Sequence, residues 1–269
     1  MSGAGRPTTV CAVEERGRNI GFGIDIGGSG IKGARVDLDS GEFDGDRIKI
    51  LTPKKATPDN VVPIITEIVE QAQWSGPFGC TFPGVVRHGV LHTAANLGDV
   101  WIGANLEEML HEASGHDVAV LNDADAAGLA EVRFGAAKGR DGVVILTTLG
   151  TGIGTALIND GQLVPNTELG HLHMHGTTAD AEKYAASSVK DKKKLSYEEW
   201  AGRLQEYYAQ LEYLINPDVI VVGGGVSRKA HKFLPLITTE AELIPAELRN
   251  TAGIVGAAVV AEERFGAGG

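Results

Sequence analysis

Cysteine is nearly absent: Cys11 and Cys80 are the two in 269 residues. Two cysteines build no disulfide framework, so a reducing compartment, the cytoplasm, is expected. No apolar run approaches the ~18 residues that span a bilayer, and no apolar core follows the first residues. Residues 1–19 therefore read as a polar, flexible tail, and no membrane partner is expected. Basic residues are also few, 24 against 35 acids, for a formal charge of −11. That balance argues against a general nucleic-acid binder, which needs a basic face. It leaves room for a local basic site on an acidic protein. Hydrophobic residues at 43% exclude global disorder. What the chain has in excess is glycine, 37 residues, where a usual share is about 7%. These glycines sit in short runs beside apolar stretches, where backbone approaches a ligand closely.

The apolar pattern opens as a meander: strands over Ile20–Ile26, Ile31–Leu38 and Arg47–Leu51. Val61, Ile64, Ile65, Ile68, Val69 and Ala72 share one face of a helix. Short strands follow at Phe78–Phe82 and Val90–His92. A second half is expected to begin at Val118, with a strand to Asn122 and an alanine-rich helix over Asp123–Phe134. Val143–Thr148 and Thr155–Ile158 read as strands, and Asn159-Asp160-Gly161-Gln162 as a hairpin turn. Ser196 and Glu199 form a capping box for a helix that ends before Pro217. Val219–Val222 is a buried strand, and Thr251–Phe265 a last helix with a small-residue packing face. The expected division is a tail at 1–19, a smaller α/β lobe at 20–117 and a larger one at 118–250. Helix 251–265 is placed near the first lobe.

One pattern occurs twice. Asp25-Ile-Gly27-Gly28-Ser29-Gly30-Ile-Lys32-Gly joins two strands, and Thr148-Leu-Gly150-Thr151-Gly152-Ile-Gly154 joins two more. A duplicated α/β architecture follows. Gly28–Gly33 matches G-x-G-x-x-G in form, but the turn enters a strand rather than a helix, which rules out the dinucleotide fold. The remaining reading is a tight turn whose N–H groups face a phosphate, with Asp25 holding Mg²⁺ through water. The plainer reading is an ordinary hairpin with an exposed aspartate. Asn122-Asp123 stands where a buried strand meets a helix, so it is either a helix cap or a carboxylate base at a strand's carboxyl end. Glu168 and His171 could hydrogen-bond sugar hydroxyls. His171, His173 and His175 alternate in a zinc-like spacing, yet no cysteine is near. Lys190, Lys192, Lys193 and Lys194, broken by Asp191, and the pair Lys54-Lys55 are local charge reversals. They could track a long polyanion, or the 190–194 run could be a solvated loop.

Together these segments resemble the ROK family (repressors, open reading frames and sugar kinases) of the actin-like sugar kinase superfamily, from about Gly21 to Phe265. DIGGSGIKG is similar to its first phosphate hairpin and LGTGIGTALI to its second. VVGGGVS, with Gly223, Gly224 and Gly225, resembles its adenosine or phosphate-tail segment. The resemblance implies a duplicated, two-lobed actin-like α/β fold with a cleft between the lobes. It implies that Asp123 of LNDADAAGLAE is the catalytic base. It implies that Asn96, Asn122, Glu168, His171 and Glu182 hold the sugar, with the Gly84 backbone lining the site. Phosphate-binding positions are implied at Gly27, Gly28, Ser29, Gly30, Lys32, Thr148, Gly150, Thr151, Gly152, Gly154 and Gly223–Gly225.

TFPGVV, LVPNTELGH, LSYEEWA and NPDVIVVGGGVS are most similar to the branch of actinobacterial polyphosphate glucokinases. This implies phosphorylation of glucose at its 6-hydroxyl, with mannose as a further acceptor in some members. The implied donor is inorganic polyphosphate or ATP, the implied cation Mg²⁺ and the implied assembly a homodimer. The family's zinc cysteines after the Glu-x-Gly-His segment are missing from HLHMHGTTADAEKY, so no zinc is expected. The residues before Ile20 are too few for a helix-turn-helix, which argues against the repressor branch. The rival expectation is an ATP-only hexose or amino-sugar kinase of the same family.

Overall fold

The computed structural model describes residues 19–95, 97–176 and 178–266. The first half runs β1 (Ile20–Gly27), β2 (Gly30–Asp37), β3 (Ile48–Ile50), α1 (Pro58–Gln71) and β4 (Phe78–Phe82). It continues through a small hairpin, β5 (Val86–Arg87) and β6 (Val90–Leu91), to α2 (Leu106–Ser114), β7 (Val118–Asn122) and α3 (Asp123–Phe134). The second half comprises β8 (Val143–Leu149), β9 (Ile153–Asn159), β10 (Gln162–Val164), α4 (Ala181–Ala185), α5 (Ser187–Lys193) and α6 (Tyr197–Ile215). It ends with β11 (Val219–Gly223), a kinked 3-10 segment at Gly225–Lys232, β12 (Glu242–Pro245) and α7 (Ala252–Phe265).

Two five-stranded sheets result, ordered β3-β2-β1-β4-β7 and β10-β9-β8-β11-β12. Each opens with an antiparallel meander and closes with parallel strands. The repeat seen in the sequence is thus a repeat of a whole sheet. The division expected before Val118 has to be moved: β7 pairs with β4 and completes the first sheet. Its five residues are all buried, and a run buried on both faces carries no mark of which sheet it joins. No helix among the described residues is long and apolar enough to cross a membrane.

Each sheet has its own core. Phe22, Ile24, Phe78, Phe82, Ile65 and Trp101 fill the first. Ile145, Trp200, Leu204, Tyr207, Tyr208 and Phe233 fill the second. The capping box of α6 is formed, with Ser196 Oγ accepting from Glu199 N–H at 3.1 Å and the Glu199 carboxylate accepting from Ser196 N–H at 2.8 Å. Cys80 is buried, and burial pushes its thiol well above the usual range. The sequence pattern missed α2, which is set by Asn105 at its N-cap and left-handed Gly115 at its C-cap. The 190–194 run is not a loop: most of it is the last turn of α5, and Lys194 closes the helix in a left-handed conformation.

The halves meet through helices α3 and α7. α7 packs on β1 and β4 of the first sheet, and α3 packs on α7 and on β9 of the second. Most of their contact residues are small, Ala126, Ala130, Ala257 and Ala258, with Ile254 and Val255 packed among them. A Cβ at Gly256 would stand 1.9 Å from the carbonyl oxygen of Ala126, and one at Gly79 would stand 1.8 Å from that of Ala257. Backbone therefore lies against backbone on both sides of α7. The buried Glu131 carboxylate at the far end of α3 accepts N–H bonds from Ala136 (2.8 Å), Glu247 (3.1 Å) and Leu248 (2.8 Å). It thereby fixes the segment that leads into α7.

Gly256→Ala should destabilise the protein by about 3 kcal/mol or more, because neither helix can yield without moving a sheet. Urea unfolding at constant m-value would read this, and an unchanged midpoint would show that the α3–α7 contact relaxes freely.

Candidate active site

The carboxyl ends of parallel strands β1, β4 and β7 lie at one edge of the first sheet, where open α/β sheets place ligands. β7 runs directly into α3 at this edge. Asn122 caps the helix, its Oδ1 accepting from the N–H groups of Ala124 (2.8 Å) and Asp125 (3.1 Å). Its Nδ2 donates to Gly84 O at 3.0 Å, leaving one amide N–H for a ligand. The cap fixes Asp123 as the first residue of α3, facing a cavity of about 690 Å³. Asp123 is open to that cavity yet ringed by protein, so its carboxylate is accessible but poorly hydrated. This burial, reinforced by the Asp25 charge, pushes Asp123 up to about 6. A carboxylate poised there can take a proton near neutral pH.

The opposite wall comes from the second half. Thr148, Gly150, Thr151, Gly152 and Gly154 of the β8–β9 hairpin line the cavity, as does Gly224 beyond β11. Glu168, His171 and Glu182 complete it. Thr155 of β9 holds the Glu168 turn from both sides, donating to Thr167 O at 2.6 Å and accepting from Leu169 N–H at 3.1 Å. Gly170 lets that turn lie on β9, since a Cβ there would stand 2.0 Å from Ile153 O. The imidazole of His171 sits among three carboxylates, Glu168 at 3.6 Å, Asp180 at 3.8 Å and Glu182 at 3.9 Å. Burial raises the Glu168 carboxyl, and His171 opposes that rise. His171, Asp180 and Glu182 offer ligand atoms within 4.8 Å of one another, the one group of the kind that could hold a metal ion among the described residues. His173 and His175 are not part of it.

The structure thus gathers Gly84, Asn122, Asp123, Glu168, His171, Glu182, the second hairpin and Gly224 around one space. The first hairpin is outside the cavity lining. Gly28 and Ser29 are exposed at its tip, with Gly27 and Gly30 paired across it. Lys32 stands opposite Asp25 in the β1–β2 register and gives its ammonium to Asp25 at 2.9 Å. Thr81 donates to the other Asp25 oxygen at 3.0 Å. Gly223 is buried at the end of β11, and Gly225 is exposed beyond Gly224. Asn96 lies outside the described residues, although Thr93, Ala94, Ala95, Asp99 and Ile102 around it line the cavity.

Two residues that sequence reasoning missed tie the walls together. Asn166, two residues before Glu168, accepts from Val86 N–H and donates to Val86 O, both at 2.8 Å. Its own N–H donates to Asp125 Oδ2 at 2.8 Å. Asp125 is 1% exposed, and its other oxygen has no hydrogen-bond partner. Burial pushes it up to about 7, against the pull of the Asn166 N–H. The left-handed Asn166 reads in sequence as a turn residue, which hides its reach to β5.

Comparison with known proteins gives the family and the fold. The ROK family profile matches residues 21–193, and the chain belongs to that family. Polyphosphate glucokinase of Mycobacterium tuberculosis (strain CDC 1551 / Oshkosh) is 54% identical over 240 residues, 89% of this chain and 90% of the relative. The polyphosphate glucokinase of Mycobacterium leprae (strain TN) is 52% identical over 90% of this chain and 74% of its own. The crystal structure of inorganic polyphosphate/ATP-glucomannokinase from Arthrobacter sp. strain KM superposes with a TM-score of 0.85. It is 44% identical, covering 91% of this chain and 99% of that one. A ROK family glucokinase from Streptomyces griseus in complex with glucose and AMPPNP gives a TM-score of 0.75 at 26% identity, over 91% of this chain and 100% of that one. The two sheets are therefore the two lobes of the actin-like fold that ROK sugar kinases have.

Asp125→Asn tests the buried carboxyl. Folding keeps Asp125 protonated up to about pH 7 while the unfolded carboxyl ionises near 4, so wild-type stability falls as pH rises from about 4 to 7 and is level above that. The asparagine is uncharged throughout, so its stability should gain on wild type as pH rises from about 4 to 7 and the difference should level off above 7. Urea unfolding curves that stay parallel across that range would show that Asp125 is ionised at little cost.

Proposed function

We propose that the chain transfers the terminal phosphoryl group of inorganic polyphosphate, and that of ATP, to the 6-hydroxyl of glucose. The observation that carries this is the one cavity holding a raised carboxylate, a glycine hairpin and the Glu168–His171–Glu182 group. The names of the two mycobacterial relatives and of the Arthrobacter enzyme support the same acceptor and donor. In this reading Glu168, His171 and Glu182 accept and donate to the sugar hydroxyls, with Asn122 facing them from the other wall. Asp123 accepts the hydroxyl proton as the oxygen–phosphorus bond forms and the bond to the departing phosphate breaks. The product is a sugar phosphate and a donor shorter by one phosphate. N–H groups of Gly150–Gly154 and of Gly27–Gly30 face the donor phosphates, so little covalent work falls to the protein.

Asp25 fits a hydrated Mg²⁺: it lies at the same sheet edge as Asp123 and keeps about half of its acceptor sites beyond the Lys32 and Thr81 bonds. Such an ion supplies charge neutralisation on the transferring group. A homodimer and a cytoplasmic location belong to the same proposal, and sedimentation would read the first.

Asp123→Asn should lower kcat by roughly 10²–10⁴-fold while glucose binding by calorimetry changes little. In wild type, kcat/KM should fall about tenfold per pH unit below about 6, where the base is protonated. A variant keeping a tenth of the wild-type rate would remove Asp123 from the role. Turnover with ATP but none with polyphosphate would leave an ATP-only sugar kinase.

A further inference from the structure

Two short basic elements spring from the donor end of the cavity. α5 is tied directly to the second hairpin: Ser188 N–H donates to Gly150 O at 3.0 Å, and Ser188 Oγ donates to Thr151 O at 2.7 Å. The 3-10 segment Gly225–Lys232 begins one residue beyond Gly224, and Ser227 N–H donates back to Gly224 O at 3.1 Å. The two elements meet at Tyr197. Lys190 Nζ lies 4.6 Å and Lys232 Nζ 5.6 Å from the centre of its ring, which stacks on Phe233. Around this junction Lys192, Lys193, Lys194, Arg228, Lys229 and Lys232 are exposed. Among the described residues none of these six side chains is in an ion pair. The acids nearby in sequence are Asp191, which pairs with Lys190 at 3.2 Å, and Glu198 and Glu199 of the first turn of α6. A protein of net charge −11 thus concentrates unpaired cations beside the hairpin that faces the donor.

We infer that α5 and the 225–232 segment form the two banks of an exit track for inorganic polyphosphate longer than three phosphates. The inference rests on the donor reading above and names the residues that bind the tail. The chain leaves the cavity between Gly150–Thr151 and Gly224 and passes over Lys192–Lys194 on one side and Arg228, Lys229 and Lys232 on the other. α5 rises about 10 Å from its anchor at the hairpin. A triphosphate seated on the hairpin stops short of its last turn, so the track discriminates donors by length. Exposed lysines hold a mobile polyanion through summed, screened attraction, which makes the contact salt-dependent.

The test uses two triple variants, Lys192→Ala/Lys193→Ala/Lys194→Ala and Arg228→Ala/Lys229→Ala/Lys232→Ala. Expected is a rise in KM of about tenfold or more for long-chain polyphosphate, since each exposed charge contributes modestly and three are lost. KM for tripolyphosphate, ATP and glucose, and kcat, should stay within about twofold. The corresponding lysine-to-arginine replacements should keep the wild-type KM, and thermal melts of all variants should match wild type. Equal KM changes for long and short donors, or no change for the long one, overturn the track while leaving the donor reading intact. Wild type that turns over ATP but no polyphosphate overturns the donor reading. In that case long-chain polyphosphate binding, measured by calorimetry, decides the track: binding that both variants weaken upholds it as a polyanion site, and binding that neither weakens, or no binding, overturns it.

Discussion

The close approach of α7 to its neighbours is the constraint on which the rest of the molecule depends. The helix lies on the first sheet at Gly79 and against α3 at Gly256, with carbonyl oxygens where side chains would normally intervene. Such contacts leave little play, so the direction of α3 is set by the first sheet even though α3 also covers the second. Asp123 sits at the end of that helix. Its position relative to Asp25 across the sheet edge is therefore a consequence of backbone packing rather than of any contact made by its own side chain. The alanines and glycines of α3 and α7, which look featureless in a hydrophobicity plot, are what hold Asp123 in place.

Electrostatics divides the cavity into two ends. At the α3 end, Asp123 and Asp125 are both raised, chiefly by burial, and the Asp25 charge adds to the rise of Asp123. At the opposite wall, one imidazole sits among Glu168, Asp180 and Glu182. A proton can be accepted at the first end, while the second presents fixed acceptors around one donor ring, which suits a polyhydroxylated ligand. Asn166 links the ends physically, holding Asp125 with its backbone and Val86 with its amide.

Much of this was legible in the sequence because strand and turn chemistry are local. The limits of β4, β7 and α3, the α6 capping box and both hairpins follow from neighbouring residues. The repeat of glycine hairpins foretold the repeat of sheets. The Asp25–Lys32 pair was not foreseen, although the two-residue turn at Gly28-Ser29 makes positions 25 and 32 direct cross-strand neighbours. What else escaped was long-range. Nothing local to Val118–Asn122 says which sheet it joins, nothing near Asn166 points to Val86, and nothing near Asp180 points to His171. The basic run at 190–194 was visible as charge, but its helical state depends on the anchor of Ser188 to a hairpin far back in the chain.

The placement of α7 also bears on how the chain is made. β1 begins at Ile20, yet the helix that covers it begins at Ala252. While the protein emerges from a ribosome, the first sheet therefore waits with one face bare until nearly all of the described chain has been synthesised. The second sheet, whose strands and α6 are contiguous in sequence, can pack earlier. Domains usually mature in the order of synthesis. Here the sheet that is made first is covered last, by a helix that follows even β12, the final strand of the second sheet.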